Sequence, residues 1–380
     1  MTTTTHQILG IMSGSSLDGL DLAICDLTTT TDAEGVLSVV DWSIRAATTD
    51  PYPPLWRARL KSAPHLPGEE LWRLHADLGK WIGRRAADFL QQHPELNPTL
   101  IGSHGHTIFH DPERGFTTQI GNGAFIATVT GLTTVTEFRS SDVAAGGQGA
   151  PLAPVADKYL FPEHGAFLNL GGIANLSVRQ TDGRYLAGDI TGCCQILDRL
   201  ANLAGLPYDA GGRLAASGQF NADLADRIGG LPFHRGPYPK SLGNGWVRDT
   251  LWPLLATSDL PVADRLSTFT KWLAVKIGTD VLSVLPNSEI KKDPASVTEC
   301  LVTGGGARNA YLLQQLNRIG KEDGVCFTVP PPTVADFKEA ALMALTALLR
   351  VAGQPNSLAT ATGARFPTIN GAVYLPPPKH

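Results

Sequence analysis

A two-lobed α/β fold is predicted by three features of this chain. Two glycine-rich loops each lie between β-strand patterns, the loops stand about half a chain apart, and helical periodicity fills the stretches between and after them. The first loop is entered by Ile8-Leu9-Gly10-Ile11-Met12, turns through Ser13-Gly14-Ser15-Ser16-Leu17-Asp18-Gly19, and is left by Leu20-Asp21-Leu22-Ala23-Ile24-Cys25. That exit alternates with period two, as a half-buried strand does. The second loop is entered by Ala166-Phe167-Leu168-Asn169-Leu170, turns at Gly171-Gly172-Ile173-Ala174-Asn175 and leaves through Leu176-Ser177-Val178. A third strand, Tyr185 to Ile190, follows the turn at Thr181-Asp182-Gly183-Arg184.

A Rossmann or P-loop site puts its glycines between a strand and a helix, because the helix N-terminus helps hold the phosphate. Neither loop here is followed by a helical pattern. Backbone N–H groups of a hairpin loop still cradle an anion, since glycine lets the backbone approach closely. The pair of loops therefore reads as a duplicated phosphate-binding scaffold.

The remaining elements follow in order. Leu71, Leu74, Leu78, Ile82 and Phe89 keep helical spacing over 68–92, until Pro94 ends the pattern. A short apolar strand, Leu100-Ile101-Gly102, delivers Ser103-His104-Gly105-His106-Thr107. Helical stretches are expected over 195–204 and 266–285, then a loop over 286–294. Cys300 to Thr303 reads as a buried strand running into Gly304-Gly305-Gly306-Ala307-Arg308-Asn309, with helices at 310–319 and 338–351 and a loop-like tail after Gly363. The lobes are expected over 1–137 with 360–380, and over 138–359.

With 380 residues, 43% of them hydrophobic, the chain can bury two cores. A net charge of −4 argues against nucleic acid or a membrane surface as partner, because both call for a basic footprint. The first seven residues carry no apolar signal core, and no run approaches the roughly 18 apolar residues of a spanning helix. A cytoplasmic protein is expected. Cys25, Cys193, Cys194, Cys300 and Cys326 form no CxxC and read as reduced thiols.

Several side chains invite chemistry, each with a plainer alternative. Asp142 stands between the apolar strand 132–135 and the run Gly146-Gly147-Gln148-Gly149, where a lobe junction would place it in a cleft; otherwise it is a loop acid beside Arg139. Asp18 and Asp189 are candidates to hold Mg²⁺ through water, which suits an ion that keeps several waters, or Asp189 ends a strand at a turn. His104, His106 and His110 suggest zinc only weakly, since no further ligands follow at matching spacing. Contacts to sugar hydroxyls or carbonyls suit an HxH pair on a strand better. Trp72, Trp81 and Trp272 fall at helical positions and read as core. Asn309 fits the N-cap of the helix after it.

Five segments together resemble the anhydro-N-acetylmuramic acid kinase family of the sugar kinase, hexokinase and actin superfamily. They are 10–19, 103–107, Phe138-Arg139-Ser140-Ser141-Asp142-Val143-Ala144-Ala145-Gly146-Gly147-Gln148-Gly149-Ala150-Pro151, Leu168 to Asn175, and Pro239-Lys240-Ser241-Leu242-Gly243. The resemblance implies an actin-like ATPase fold, a duplicated ribonuclease H-like design, with ATP and sugar in the cleft between the lobes. It implies that Gly14, Ser15, Ser16, Asp18, Gly19 and Asp21 with Gly171, Gly172 and Asn175 close on the β- and γ-phosphates. Gly304, Gly305, Gly306 and Asn309 resemble the adenosine motif.

The same resemblance makes Asp142 the general base, with Glu339 a second acid near it or else a first-turn helix acid. His104, His106, Gln119, Arg139 and Gln148 become sugar contacts. Arg139 and Lys240 either meet a substrate carboxylate or cover the rim of a cleft. The implied reaction takes 1,6-anhydro-N-acetylmuramic acid, ATP with Mg²⁺ and water to N-acetylmuramic acid 6-phosphate and ADP, in peptidoglycan recycling, by a homodimer. A kinase for another 1,6-anhydro sugar, or an actin-like nucleotide-gated binding protein, are the alternatives. The chain departs from the family at Gly192-Cys193-Cys194-Gln195, where Gly-Pro-Gly-Asn is usual, at Glu137 for aspartate, and at Ser15-Ser16 for threonine-serine.

Overall fold

The computed structural model describes residues 2–14, 17–238, 240–286 and 298–378. In chain order, the elements that place the site begin with β1 (Thr3–Ser13), β2 (Gly19–Thr31), β3 (Leu37–Pro51), α1 (Gly68–Gln92), β4 (Leu100–Ser103), β5 (His106–Asp111), β6 (Phe116–Ile120), β7 (Thr133–Thr136) and α2 (Ser140–Ala144). Next come β8 (Ala166–Leu170), β9 (Ile173–Arg179), β10 (Tyr185–Gly192), α3 (Cys194–Leu203) and α4 (Val262–Val284). The chain continues with β11 (Thr298–Thr303), α5 (Ala310–Asp323), β12 (Val325–Thr328), α6 (Pro332–Val351) and β13 (Ala372–Tyr374).

Contacts divide the chain into residues 1–162 with 337–380, and 163–336. The sequence reading had put 138–162 and 337–359 in the second lobe. Residues 337–359 group with the first unit because α6 lies flat on its sheet, and 138–162 because Arg139 bonds His104 and Trp42 of β3 donates to the Leu160 carbonyl at 2.7 Å. A Cβ on Gly10 would fall on the Ala340 carbonyl, and one on Gly102 on the Met343 carbonyl. Only glycine permits that approach of helix backbone to strand.

The first unit's sheet runs β13-β7-β4-β1-β2-β3. β1, β2 and β3 form an antiparallel meander, while β1, β4 and β7 are parallel. β13 pairs antiparallel with β7, so the tail read as loop supplies an edge strand through Val373 opposite Val135. On the face away from α6, Leu9, Ile11, Leu20, Leu22 and Ile24 are buried with Leu74, Leu78, Ile82 and Phe89 of α1. The period-two and helical patterns of the sequence meet there in one core. Trp81 packs at its margin, but Trp72, read as core, is 66% exposed.

The second unit's sheet runs β10-β9-β8-β11-β12. Again the first three strands are an antiparallel meander, and β8, β11 and β12 are parallel. Both units therefore share the ribonuclease H-like order, meander first and parallel strands after. Leu168, Leu170 and Val302 pack under Ile196, Leu200, Phe269, Leu273 and Ile277 from α3 and α4, with Trp272 partly buried against them. All of the expected loop at 286–294 after its first residue lies outside the described residues.

Candidate active site

Each glycine loop is a hairpin connection in the structure: Ser13 pairs with Leu20 across the first, and Leu170 with Ala174 across the second. Ser15 and Ser16 lie outside the described residues, as does Pro239. Gly14 carries only a turn, its carbonyl accepting from Leu17 N–H at 3.3 Å. Gly19 is a packing glycine, since a Cβ there would meet the Asp50 carbonyl at 2.7 Å.

In the first unit, acids and one arginine converge. Asp142 lies in the single turn of α2 and is 0% exposed. Its Oδ2 accepts from Gly149 N–H at 2.8 Å, its Oδ1 from the Thr362 hydroxyl at 2.8 Å, and its own N–H donates to Asn370 Oδ1 at 3.0 Å. The turn at Gly147 covers the carboxylate so closely that a Cβ there would collide with Oδ2. Arg139, one turn back, is not the surface partner of Asp142 considered from sequence. Its Nε donates to His104 Nε2 at 2.9 Å and its Nη1 to the Gly149 carbonyl at 2.8 Å. Burial lowers its pKa to about 10, opposed by the charges of Glu339 and Asp142.

Glu339, in α6, keeps an exposed side chain although protein crowds its carboxyl. Lost hydration raises its pKa first, the Asp21 charge adds to that, and Arg139 and Lys338 pull it back. An acid that solvent reaches but hydrates poorly suits proton transfer. Asp21 itself is half-buried on β2 and accepts from Thr49 Oγ1 at 2.6 Å.

The histidines divide between two networks. They do not sit together on one strand: His104 occupies the turn before Gly105, at φ +70°, and His106 opens β5. His104 Nδ1 meets the Gly105 carbonyl at 3.0 Å, and burial drives its pKa down to about 3. His106 Nδ1 meets Ser13 Oγ at 2.9 Å, and Ser13 Oγ accepts from the Tyr52 hydroxyl at 2.7 Å. Burial lowers the His106 pKa to about 4, so the ring is neutral near pH 7. Gln119, on β6, donates to Thr117 Oγ1 at 2.8 Å, and Gln148 has an exposed side chain.

In the second unit, a polar row crosses four strands. Thr303, Asn169, Asn175 and Asp189 are successive cross-strand partners on β11, β8, β9 and β10. Asn175, read as part of the loop, lies inside β9, so the turn itself is Gly171-Gly172. Gly304 has φ +84°, and a Cβ there would meet Asn169 Oδ1 at 2.5 Å. Gly305 faces open space, and Asn309 caps α5 through Leu312 N–H at 3.0 Å. Gly306 packs on Leu170 and Cys194, and Cys194 Sγ donates to the Leu170 carbonyl at 3.4 Å. Gly304 and Gly306 are therefore close-packing positions that only glycine tolerates, while Gly305 leaves its backbone open to approach.

Asp189 Oδ2 accepts from Leu242 N–H at 2.6 Å and from Ser241 Oγ at 3.4 Å, and burial raises its pKa against those bonds. Asp18 is exposed in the first unit's loop. Among the described residues no group of three or more His, Cys, Asp or Glu side chains gathers as a metal site. Oxygen donors offered singly suit Mg²⁺ held mainly by phosphate and water. No helix of the described residues is long and apolar enough to cross a membrane. Lys240, considered for a substrate carboxylate, instead lies 3.9 Å from Asp280.

Tyr52, Thr362, Asn370 and Thr303 were not singled out from sequence. Thr362 and Asn370 reach Asp142 across more than 200 residues and belong to no motif. Asn169 lay in a quoted segment without an assigned role.

The duplicated ribonuclease H-like order, with a glycine hairpin loop in each unit, places the molecule in the architectural class of sugar kinases and actin-like ATPases. Within that class the chain belongs to the anhydro-N-acetylmuramic acid kinase family, whose profile matches residues 6–376. It is 34% identical over 374 residues to the anhydro-N-acetylmuramic acid kinase of Gloeobacter violaceus, covering 94% of this chain and 95% of that one. The kinases of that name from Nitrosospira multiformis, at 32%, and Pseudomonas putida, at 34%, each align over 96% of this chain and 98% of their own.

Proposed function

We propose that this chain is an ATP-dependent phosphotransferase that opens the 1,6-anhydro ring of anhydro-N-acetylmuramic acid with water and phosphorylates the freed O6. Family membership over nearly the whole chain supports the substrate and the nucleotide. The observation that carries the chemistry is the first unit's cluster, in which Arg139 feels both the Asp142 and the Glu339 carboxylates.

In this reading Asp142 takes a proton from a water that attacks C1. The C1–O6 bond breaks as O6 bonds to the γ-phosphorus, and the bridge oxygen leaves with ADP. Bonds from Gly149 N–H and Thr362 aim the carboxylate, and the Gly147 turn must lift for water to reach it. His106, neutral and tied to Ser13, offers a ring nitrogen to a sugar oxygen. Gly171, Gly172, Gly304, Gly305 and Gly306 of the second unit serve the nucleotide. Asp18 and Asp189 would hold Mg²⁺ through water, where it would offset phosphate charge. A cytoplasmic homodimer belongs to the same proposal. The difference in exposure favours one second assignment: Glu339, open to solvent, is the base, and Asp142 anchors the Gly149 turn.

The test is turnover in ¹⁸O-water. Heavy oxygen is expected on the anomeric carbon and none in the ester bridge, with a preformed reducing sugar phosphate as the exchange control. A phosphorylated product that keeps its anhydro bridge, or no preference for the anhydro sugar over a plain reducing one, overturns the reading.

A further inference from the structure

Outside these loops, the second unit holds a cavity of about 440 Å³ whose wall gathers charge. Asp280, on α4, is the one carboxylate among the described residues lining it, and Lys276, Arg235 and Tyr238 stand around it. Lys276 Nζ lies 2.5 Å from Asp280 Oδ1, and Tyr238 donates its hydroxyl to Oδ2 at 3.0 Å. Lys240 Nζ lies 3.9 Å from the same Oδ2 and sits over the Phe233 and Tyr238 rings, at 4.9 and 4.7 Å. Both lysines are largely buried, with side-chain exposures of 8% for Lys240 and 13% for Lys276. Arg235 is exposed and makes no ion pair among the described residues.

The two buried lysines thus share one carboxylate, which leaves one buried positive charge in excess, and the exposed Arg235 adds a second at the cavity wall. Burying a charge without a partner is costly, so such an excess calls for an anion. A carboxylate ligand would cancel one charge; a phosphate monoester carries about −1.5 to −2 at neutral pH and matches the excess. Thr279 and Ser283, also in the wall, already donate to the Val275 and Asp280 carbonyls, which leaves the cations as the donors facing a ligand.

We propose that the cavity lined by Arg235, Lys276 and Asp280, with Lys240 beside Asp280, is a phosphate-binding site for a small phosphorylated metabolite, separate from the glycine loops. Asp280 offsets one of the two lysine charges while the site is empty, and the ligand's oxyanion joins it when bound. The Lys240 carbonyl accepts from Asp189 N–H at 2.8 Å, and Leu242 N–H holds the Asp189 carboxylate. A phosphate drawing on Lys240 therefore stiffens the segment that positions Asp189.

The experiment titrates the full chain with inorganic phosphate and with glucose 6-phosphate by calorimetry, with a non-hydrolysable ATP analogue saturating the nucleotide site. Binding is expected, weakened at least about tenfold by Lys276→Met and by Arg235→Gln, since each removes a charged donor. Arg235 is exposed, so its variant folds even if the Lys276 variant does not. Asp280→Asn removes the competing negative charge and is expected to bind phosphate more tightly, with a larger phosphate-induced rise in Tm than the parent chain. Absence of binding with the nucleotide site filled, or affinity unmoved by both Arg235→Gln and Asp280→Asn, overturns the proposal.

Discussion

Arg139 donates from Nε to His104 Nε2 at 2.9 Å, while the other ring nitrogen of His104 meets the Gly105 carbonyl at 3.0 Å. The ring is therefore neutral with its proton on Nδ1, and the guanidinium is fixed in the plane that this bond and the Gly149 carbonyl define. The end of β4 is tied in this way to the turn that carries Asp142. An arginine so held cannot swing out as a mobile surface charge, and its field acts on Asp142 and Glu339 together.

Asp142→Asn keeps the shape of the side chain and removes its basicity. Turnover is expected to fall by roughly 10²- to 10⁴-fold, the range for loss of a general base, with binding of an ATP analogue retained. Glu339→Gln measured beside it assigns the base: the larger fall in kcat marks the residue that takes the proton.

Acid should destabilise the fold through its buried imidazoles. Burial lowers His104 to about 3 and His106 and His234 to about 4, from 6.5 in the unfolded chain. Between those values the unfolded chain binds more protons, so stability is full above about pH 6.5 and declines as pH falls toward 4, by on the order of 3 kcal/mol per ring at most. Denaturant midpoints at pH 7 and pH 4.5 measure the loss, and His106→Gln should flatten the slope. A midpoint independent of pH in this window would contradict the burial of these rings.

Gly10→Ala places a methyl on the Ala340 carbonyl. Either α6 shifts or the strand bends, and a cost of about 1–3 kcal/mol is expected from the strain. Thermal unfolding reads the loss directly. Because Glu339 precedes Ala340, kcat should drop with it even where the variant remains folded.

Lys338 and Asp157 form a buried pair at 2.6 Å, their side chains 10% and 1% exposed. Lys338→Met leaves the acid without this cation and is expected to cost about 3–5 kcal/mol. The double variant with Asp157→Leu should recover most of that loss in chemical denaturation. A double variant no better than the single one would show that the methionine, and not the loss of the ion pair, disturbs the packing.

Much of the site was legible because it is local. The hairpin at Gly171-Gly172 and the helix cap at Asn309 rest on hydrogen bonds within a few residues, which residue type alone constrains. Asp142 and Arg139 stood out in a long family-like block. Thr362 and Asn370 did not, because their bonds to Asp142 form only when the last segment of the chain returns to the first unit. The relay from Tyr52 through Ser13 to His106 was hidden for the same reason: β1, β3 and β5 meet in space alone.

The sequence by itself determined the alternation of strands and helices, the two glycine hairpins, the family and the acids to examine, because side-chain periodicity and glycine's lack of a side chain are properties of the residues. Tertiary structure decided the burial of Asp142, the openness of Glu339, and the unit to which 138–162 and 337–359 belong. It also brought Lys240 and Lys276 to Asp280 at the wall of one cavity. Those outcomes depend on solvation and charge, which are set by whatever neighbours the folded chain brings close and are not encoded in any local pattern.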